Sequence, residues 1–242
     1  MTGPLVLCGS GEFTPAMRAV DEALLATLPA RARIAIVPTA AGLEDTPGTW
    51  VAKGVDHFRS LGAEPYGVMA LSRADAQSTT NARAIESADW VYFSGGDPGH
   101  LVETLAGSPF WSAVCARWAG GAILAGSSAG AMMLGETTFV PLGRGPDGLP
   151  TRMTTRPALG VLPRAIVAPH ADAIPEGLLA EWADLRPDGH VFLGIDEDTA
   201  IVQDEDGWWV RGPGRVFVLH GAGRATYRAG ERVAGLPRGG LP

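Results

Sequence analysis

The stretch Gly121-Ala-Ile-Leu-Ala-Gly-Ser-Ser-Ala-Gly-Ala-Met-Met-Leu-Gly135 decides the fold of this 242-residue chain. Residues 122–125 form a short apolar run bounded by glycine, which is typical of a buried strand. The G-x-S-x-G pattern of residues 126–130 follows, and residues 131–134 are compatible with a helix. In such a strand-turn-helix unit the serine hydroxyl is exposed, and the flanking glycines let the two backbones pass closely. The pattern predicts that Ser128 is a nucleophile, and a plain glycine-rich turn without chemistry is the alternative.

Composition places the chain among ordinary globular proteins. Hydrophobic residues make up 46% of it and charged residues 19%, and the formal net charge is -7. A protein with this negative charge offers no basic surface to polyanions, so we expect neither nucleic acid nor anionic membranes as partners. No apolar run reaches the ~18 residues of a membrane span and residues 1–9 lack the features of a signal peptide, so we expect a cytoplasmic protein. Cys8 and Cys115 each lie in an apolar segment and are predicted to be free thiols.

Apolar runs alternate with helical patterns along the first half of the chain. Strands are predicted at residues 5–7, 34–38, 65–69 and 90–93, and helices at 15–25, 50–61 and 81–87. Strands separated by helices imply a parallel sheet covered on both faces, in a three-layer αβα arrangement. Apolar runs after residue 199 are typical of antiparallel hairpins, and we expect them to extend the same sheet. The predicted fold class is therefore α/β with a mostly parallel central sheet, in a single domain over residues 1–242.

A pair of glycines, Gly95 and Gly96, follows the predicted strand at residues 90–93. Ligands of parallel α/β sheets bind beyond the carboxyl ends of the strands, which is also where Ser128 is expected. Backbone N–H groups at such a turn can stabilise a developing negative charge. We expect the N–H groups of Gly96 and Ala129 to form an oxyanion hole, with simple turn chemistry as the alternative for the glycines.

A serine nucleophile needs a base, and the five histidines differ in their predicted positions. His57 lies within a helix, His190 precedes a strand, and His220 follows a strand of uncertain direction. His100 and His170 both follow segments that end at the expected active edge. His170 is the better candidate, because a strand delivers it in a loop, whereas His100 can simply cap a helix.

Three carboxylates, Asp196, Glu197 and Asp198, follow the apolar run at residues 191–195. One of them could orient the imidazole and stabilise its cation. Because side chains alternate along an extended chain, Glu197 points to the opposite face from its two neighbours. The residues alone leave open which carboxylate faces the histidine, and a solvated acidic turn is the commoner arrangement.

Together these motifs resemble the serine peptidase family that contains cyanophycinase and aspartyl dipeptidase, also called peptidase E. The resemblance rests on four segments and covers nearly the whole chain: residues 94–97, 124–131, 168–170 and 194–200, within a span from 8 to 216. It implies a class I glutamine amidotransferase-like fold with serine as the nucleophile. It further implies Ser128 as nucleophile, His170 as general base and Glu197 as the acid that orients it, with no metal or organic cofactor.

The order serine, histidine, glutamate matches the cyanophycinase branch of that family. In the aspartyl dipeptidase branch the acid is an aspartate shortly after the serine, and residues 139–145 contain no carboxylate. The implied function is hydrolysis of short peptides through an acyl-enzyme, as an exopeptidase or dipeptidase. A non-catalytic amidotransferase-like binding module is the alternative.

Two departures from the family pattern concern the substrate. Cyanophycinase-like sequences have glutamine after the Gly-Gly-Asp turn and arginines after the histidine, whereas this chain has Pro98 and no arginine in residues 171–178. The nearest basic candidates are Arg152, Arg156 and Arg164. The substrate therefore stays open between a dipeptide with N-terminal aspartate, a β-aspartyl dipeptide or polymer, and another short peptide.

Two further segments allow alternatives. Residues 141–152 are rich in glycine and proline and are predicted to be a loop, either a flap over the site or a plain surface loop. The pair Trp208 and Trp209 is either part of the core or a surface for a homodimer.

Overall fold

Fourteen strands form two β-sheets in the computed structural model, which describes residues 2–144, 150–221 and 223–242. In chain order the strands are β1 (Leu5–Cys8), β2 (Arg33–Val37), β3 (Glu64–Gly67), β4 (Trp90–Phe93), β5 (Ile123–Ser127), β6 (Gly135–Arg144), β7 (Pro150–Pro157), β8 (Leu162–Ala168), β9 (Val191–Ile195), β10 (Ala200–Gln203), β11 (Trp208–Arg211), β12 (Arg215–His220), β13 (Gly223–Arg228) and β14 (Arg232–Val233). The larger sheet has the strand order β14-β11-β10-β1-β5-β4-β2-β3, and the smaller has the order β13-β12-β9-β8-β6-β7.

The larger sheet contains the parallel core of the fold. Its neighbouring strands β1, β5, β4, β2 and β3 are parallel, and β10, β11 and β14 continue the sheet in antiparallel pairing. Every residue of β1, β4 and β5 is buried, as a parallel sheet covered on both faces requires. The predicted α/β fold, with a mostly parallel sheet and antiparallel C-terminal strands, is confirmed.

The smaller sheet includes one strand, β12, that was expected to extend the larger one. Here β6, β8 and β9 are parallel, and β12 pairs antiparallel with β9 rather than with β11. The expectation of a single extended sheet was therefore wrong for β12. Strongly twisted open sheets rarely exceed about ten strands without splitting into two packed sheets.

Eight α-helices and one turn of 3₁₀-helix at Thr39–Ala41 lie between the strands in the described ranges. The helices are α1 (Arg18–Leu25), α2 (Gly48–Ser60), α3 (Arg73–Gln77), α4 (Thr79–Ile85), α5 (Pro98–Leu105), α6 (Pro109–Ala119), α7 (Ala129–Met132) and α8 (Glu176–Asp184). The predicted helix at residues 15–25 begins three residues later than expected, after a run of turns, and α3, α6 and α8 were not predicted. None of the helices in the described part of the chain is long and apolar enough to cross a membrane.

Helices and strands enclose three apolar clusters. Helices α1 and α2 pack on one face of the larger sheet, where Phe58 contacts the Trp90 ring at a centroid distance of 5.0 Å. Helices α4, α5 and α6 pack on the opposite face, in a cluster that also includes Val167 and Leu193 of the smaller sheet. Helix α8 covers the remaining face of the smaller sheet. The two sheets therefore share one continuous core. Trp208 is part of it, and Trp209 is partly buried.

Residues 141–144 and 150–152, predicted as a loop, lie in a β-hairpin. They belong to β6 and β7, whose antiparallel register shifts around Gly143. Such irregularities let a strand accommodate proline and glycine, which explains why the composition suggested a loop. The rest of the predicted loop, residues 145–149, lies outside the described residues.

Both cysteines are free thiols, as predicted. Cys8 lies in β1 with 2% of its surface exposed, and Cys115 is partly buried in α6. Burial raises the pKa of both thiols, that of Cys115 to about 11. Since the thiolate is the nucleophile, we expect both residues to be unreactive in the folded protein.

The test is alkylation by iodoacetamide at mildly alkaline pH, followed by intact-mass measurement. The thiolate fraction of Cys115 should be about 100-fold smaller than that of an unperturbed thiol, and its alkylation correspondingly slow. The protein unfolded in urea serves as the control, in which both cysteines should react readily. Fast modification of Cys8 in the folded protein would contradict its placement in the core.

Candidate active site

Ser128 stands between β5 and α7 in a strained backbone conformation. Its φ is 52° and its ψ is -116°, which is unusual for a residue other than glycine. The flanking glycines are required by space, because a Cβ on Gly126 would lie 2.1 Å from the carbonyl oxygen of Gly130. A Cβ on Gly130 would lie 2.5 Å from the carbonyl oxygen of Phe93 in β4. The sequence therefore folds here as the predicted strand, sharp turn and helix, which presents the serine side chain at the carboxyl edge of the larger sheet.

His170 approaches Ser128 from the smaller sheet. It follows the end of β8 by two residues, and its Nε2 lies 2.9 Å from the Oγ of Ser128. The next residue, Ala171, donates its N–H to the carbonyl of Ile195 at 3.0 Å, which fixes this segment to the end of β9. His170 also has a positive φ of 54°, so its backbone is held in an uncommon conformation.

Glu197 lies behind His170 in the turn between β9 and β10. Its Oε1 is 2.6 Å from the Nδ1 of His170, and its backbone N–H donates to the Oδ1 of Asp172 at 2.8 Å. The side chains of His170 and Glu197 are 38% and 45% exposed, so solvent reaches both groups. The structure thus brings a hydroxyl, an imidazole and a carboxylate into one continuous series of contacts.

The two neighbouring aspartates have other partners. Asp196 is 4% exposed, and its Oδ2 accepts hydrogen bonds from the backbone N–H and the Nε of Arg215, both at 2.9 Å. Asp198 lies beside Gly11, and its Oδ1 accepts a hydrogen bond of 3.4 Å from the Oγ1 of Thr14. Of the three carboxylates, Glu197 is the one in contact with the imidazole.

The glycine turn after β4 lies directly against the serine. A Cβ on Gly95 would be 3.2 Å from the Cβ of Ser128, and one on Gly96 would be 2.3 Å from the carbonyl oxygen of Ala40. Gly96 has a φ of 142°, a backbone conformation that L side chains rarely adopt. Within the described residues, the backbone N–H groups of Gly96 and Ala129 donate to no protein acceptor, so both are available to a ligand.

Helix α5 begins immediately after this turn, which accounts for Pro98. The Oδ1 of Asp97 accepts the N–H of His100 at 2.8 Å as an N-cap, and Pro98 is the first helical residue, where a missing N–H does no harm. The ring of His100 is turned elsewhere, with its Nε2 2.8 Å from the carbonyl oxygen of Leu71. His100 is therefore not part of the series of contacts at Ser128.

No role for Glu12 was predicted from the sequence, although its carboxylate connects two parts of the site. Glu12 is 7% exposed; its Oε1 accepts the N–H of Gly95 at 3.0 Å, and its Oε2 accepts the hydroxyl of Ser127 at 2.6 Å. It thereby joins the glycine turn to the residue that precedes Ser128. The available signal was its position just after β1, whose carboxyl end lies beside that of β5.

We expect Glu12→Gln to weaken this connection, because the amide nitrogen of glutamine cannot accept the hydrogen bond that one of the two carboxylate oxygens accepts. The predicted result is a loss of about 1–3 kcal/mol in the free energy of unfolding, together with slower labelling of Ser128 by a fluorophosphonate. Urea denaturation and the labelling rate measure these effects. Glu181→Gln, an exposed substitution in α8, is the matched control and should change neither. Unchanged stability and labelling in Glu12→Gln would contradict the role assigned to Glu12.

A cavity of about 400 Å³ opens beside Ser128, His170 and Glu197. Its other lining residues are apolar or small: Gly96, Pro98, Met132, Phe139, Pro141, Met153, Ala168, Pro169, Ala173, Ile174 and Trp182. The volume and the apolar walls are typical of a small-molecule or peptide binding site. Arg152, Arg156 and Arg164, the basic candidates from the sequence, are exposed and do not line it.

No group of three or more His, Cys, Asp or Glu side chains in the described ranges is arranged to hold a metal ion.

Comparisons with known proteins identify the family of this chain. The sequence model of Peptidase family S51 matches residues 5–210. The cyanophycinase of Trichormus variabilis is 29% identical over 192 residues, a region that covers 78% of this chain and 63% of that protein. The cyanophycinase of Synechococcus elongatus is also 29% identical and is covered over 58% of its length. The chain thus spans about three fifths of the length of these relatives.

Two solved structures resemble the whole fold. A crystal structure of a peptidase from an acI-B1 Actinobacterium is 33% identical, with a TM-score of 0.82 and coverage of 96% of this chain and 97% of that one. A putative peptidase E protein from Listeria monocytogenes is 16% identical, with a TM-score of 0.58 over 94% of this chain and 99% of that one. The second similarity concerns the fold alone.

Proposed function

Since the chain belongs to Peptidase family S51, we propose that it is a serine-type peptidase that hydrolyses short peptides through Ser128, His170 and Glu197. The resemblance predicted from the sequence is confirmed at the level of the family. The observation that supports the residue assignment most directly is the pair of short contacts on the two nitrogens of His170. These are the 2.9 Å contact with Ser128 and the 2.6 Å contact with Glu197.

The contacts suit acyl transfer from a peptide to water. With its Nδ1–H donated to Glu197, His170 accepts the hydroxyl proton of Ser128 at Nε2 while Oγ bonds to the peptide carbonyl carbon. The carbonyl oxygen becomes negative and accepts hydrogen bonds from the N–H groups of Gly96 and Ala129. The carbon–nitrogen bond then breaks, and the leaving amine takes the proton from His170.

Water completes the reaction on the acyl-enzyme. A water molecule gives a proton to His170 and bonds to the acyl carbon, and the ester bond to Ser128 breaks as its oxygen regains the proton. The 38% exposure of the imidazole allows water to reach it. The 2.9 Å contact between Nε2 of His170 and Oγ of Ser128 supports this assignment over a non-catalytic binding module, because a module that only binds needs no base beside the hydroxyl.

We expect Ser128→Ala and His170→Ala each to lower peptide hydrolysis on the order of 10³- to 10⁶-fold, since the members of such a triad act as a unit. Circular dichroism should show that the fold persists. Ser112→Ala, at an exposed position of α6, is the matched control and should retain full activity and fluorophosphonate labelling. If Ser128→Ala hydrolyses peptides as fast as the unsubstituted protein, the proposed mechanism is wrong.

The acid is tested by a pair of neighbouring substitutions. Glu197→Gln should lower kcat strongly, yet leave roughly 100-fold more activity than Ser128→Ala, because the acid orients the base without forming a bond to the substrate. Asp198→Asn changes the adjacent carboxylate, which contacts Thr14 instead of the imidazole, and should lower kcat much less. Steady-state kinetics on one peptide substrate compares the two variants, and a reversed order would reject Glu197 as the third member.

An exopeptidase or dipeptidase mode of action on short peptides is part of this proposal and rests on the membership of the family. The homodimer and the cytoplasmic location stay predictions from the sequence. Size-exclusion chromatography with light scattering tests the first of these.

A further inference from the structure

The cavity beside Ser128 has a composition that bears on the substrate, provided that the proposed function holds. Its floor is formed by Phe139 and Trp182, which are 1% and 7% exposed and whose rings lie 6.0 Å apart between centroids. Phe139 also packs on Phe192 of β9 at a centroid distance of 5.9 Å. These aromatic side chains are fixed by the core cluster that α8 covers, so the floor is preformed.

The rim of the cavity is apolar as well. Met153 of β7 and Ile174 of the segment before α8 are partly buried, and Met132 of α7 is 8% exposed. The two charged or titratable lining groups are His170 and Glu197, and they contact each other at 2.6 Å. No lysine or arginine among the described residues lines the cavity.

Recognition of a charged substrate side chain would need a different lining. Aspartate is bound by charge-assisted hydrogen bonds, best from arginine, and the arginine of a β-aspartyl-arginine unit needs carboxylates that are free to accept its protons. Arg156 instead pairs with Glu103 on the surface at 2.6 Å. A charged side chain placed in this cavity would lose its water without gaining such partners.

We propose that the cavity is a specificity pocket for an uncharged apolar side chain, of the size of leucine, methionine or phenylalanine, on the residue next to the scissile bond. The pocket meets the reacting atoms at Ser128 and Gly96, which both line it. It therefore selects among peptides by burying apolar surface rather than by pairing charges.

The test uses the dipeptides Xaa-Ala and Ala-Xaa, in which Xaa is leucine, phenylalanine, alanine, aspartate or arginine. When Xaa lies on one particular side of the cleaved bond, kcat/KM for leucine or phenylalanine should exceed kcat/KM for alanine by about ten-fold or more. It should exceed kcat/KM for aspartate and arginine by a larger factor. A higher kcat/KM for aspartate or arginine than for leucine would overturn the inference.

A pair of substitutions locates the effect in the cavity. Ile174→Arg places a cation at the rim of the cavity. It should lower kcat/KM for the leucine dipeptide at least ten-fold, and it should reduce the ratio of kcat/KM for leucine to kcat/KM for aspartate. Leu185→Arg introduces the same charge at a residue that is 40% exposed and does not line the cavity, and it should leave that ratio unchanged. Equal ratios in the two variants would reject the assignment of the pocket.

Binding separates a failure of this inference from a failure of the proposed function. Calorimetric titration of the same dipeptides into Ser128→Ala should give tighter binding for leucine and phenylalanine than for aspartate and arginine. If the apolar peptides bind preferentially but the unsubstituted protein neither hydrolyses them nor reacts with a fluorophosphonate, the pocket stands and the peptidase proposal falls. If hydrolysis depends on Ser128 but favours charged side chains, the peptidase proposal stands and the assignment of the pocket is wrong.

Discussion

The close approach of strand β5 and helix α7 is the constraint on which the rest of the site depends. A Cβ at Gly126 or Gly130 would overlap neighbouring backbone atoms, so the two elements can cross only where those side chains are missing. The crossing forces a positive φ on Ser128 and raises its side chain above the sheet edge. His170 contacts this hydroxyl, and the glycine turn after β4 lies beside it.

Much of the larger sheet could be predicted from local pattern. Strand β4 of this sheet begins and ends at the predicted residues, and so does β9 of the smaller sheet, since a short apolar run between polar or glycine residues has few other stable arrangements. The glycine pair, Ser128 and His170 could be placed for the same reason, because each directly follows such a run. The carboxyl ends of parallel strands then bring these residues to one region without any further information.

What the sequence could not predict depends on long-range pairing. The change of β12 into the smaller sheet and the hairpin of β6 and β7 depend on which strands pair across the chain, and local composition does not specify that. Glu12 was missed for a similar reason, because its partners at Gly95 and Ser127 lie more than 80 residues away. Among Asp196, Glu197 and Asp198, strand alternation set Glu197 apart. The family resemblance implied Glu197, and the structure shows its carboxylate on His170, whereas Asp196 and Asp198 have other partners.

The division of the strands between two sheets has a mechanical consequence. Ser128 follows a strand of the larger sheet, whereas His170 and Glu197 follow strands of the smaller one. The apolar cluster that includes Val167 and Leu193 holds the two sheets together. A shift of about 1 Å between them would break the serine–imidazole contact while leaving each sheet intact. The alignment of these groups therefore depends on the packing between the two sheets as well as on the hydrogen bonds within each sheet.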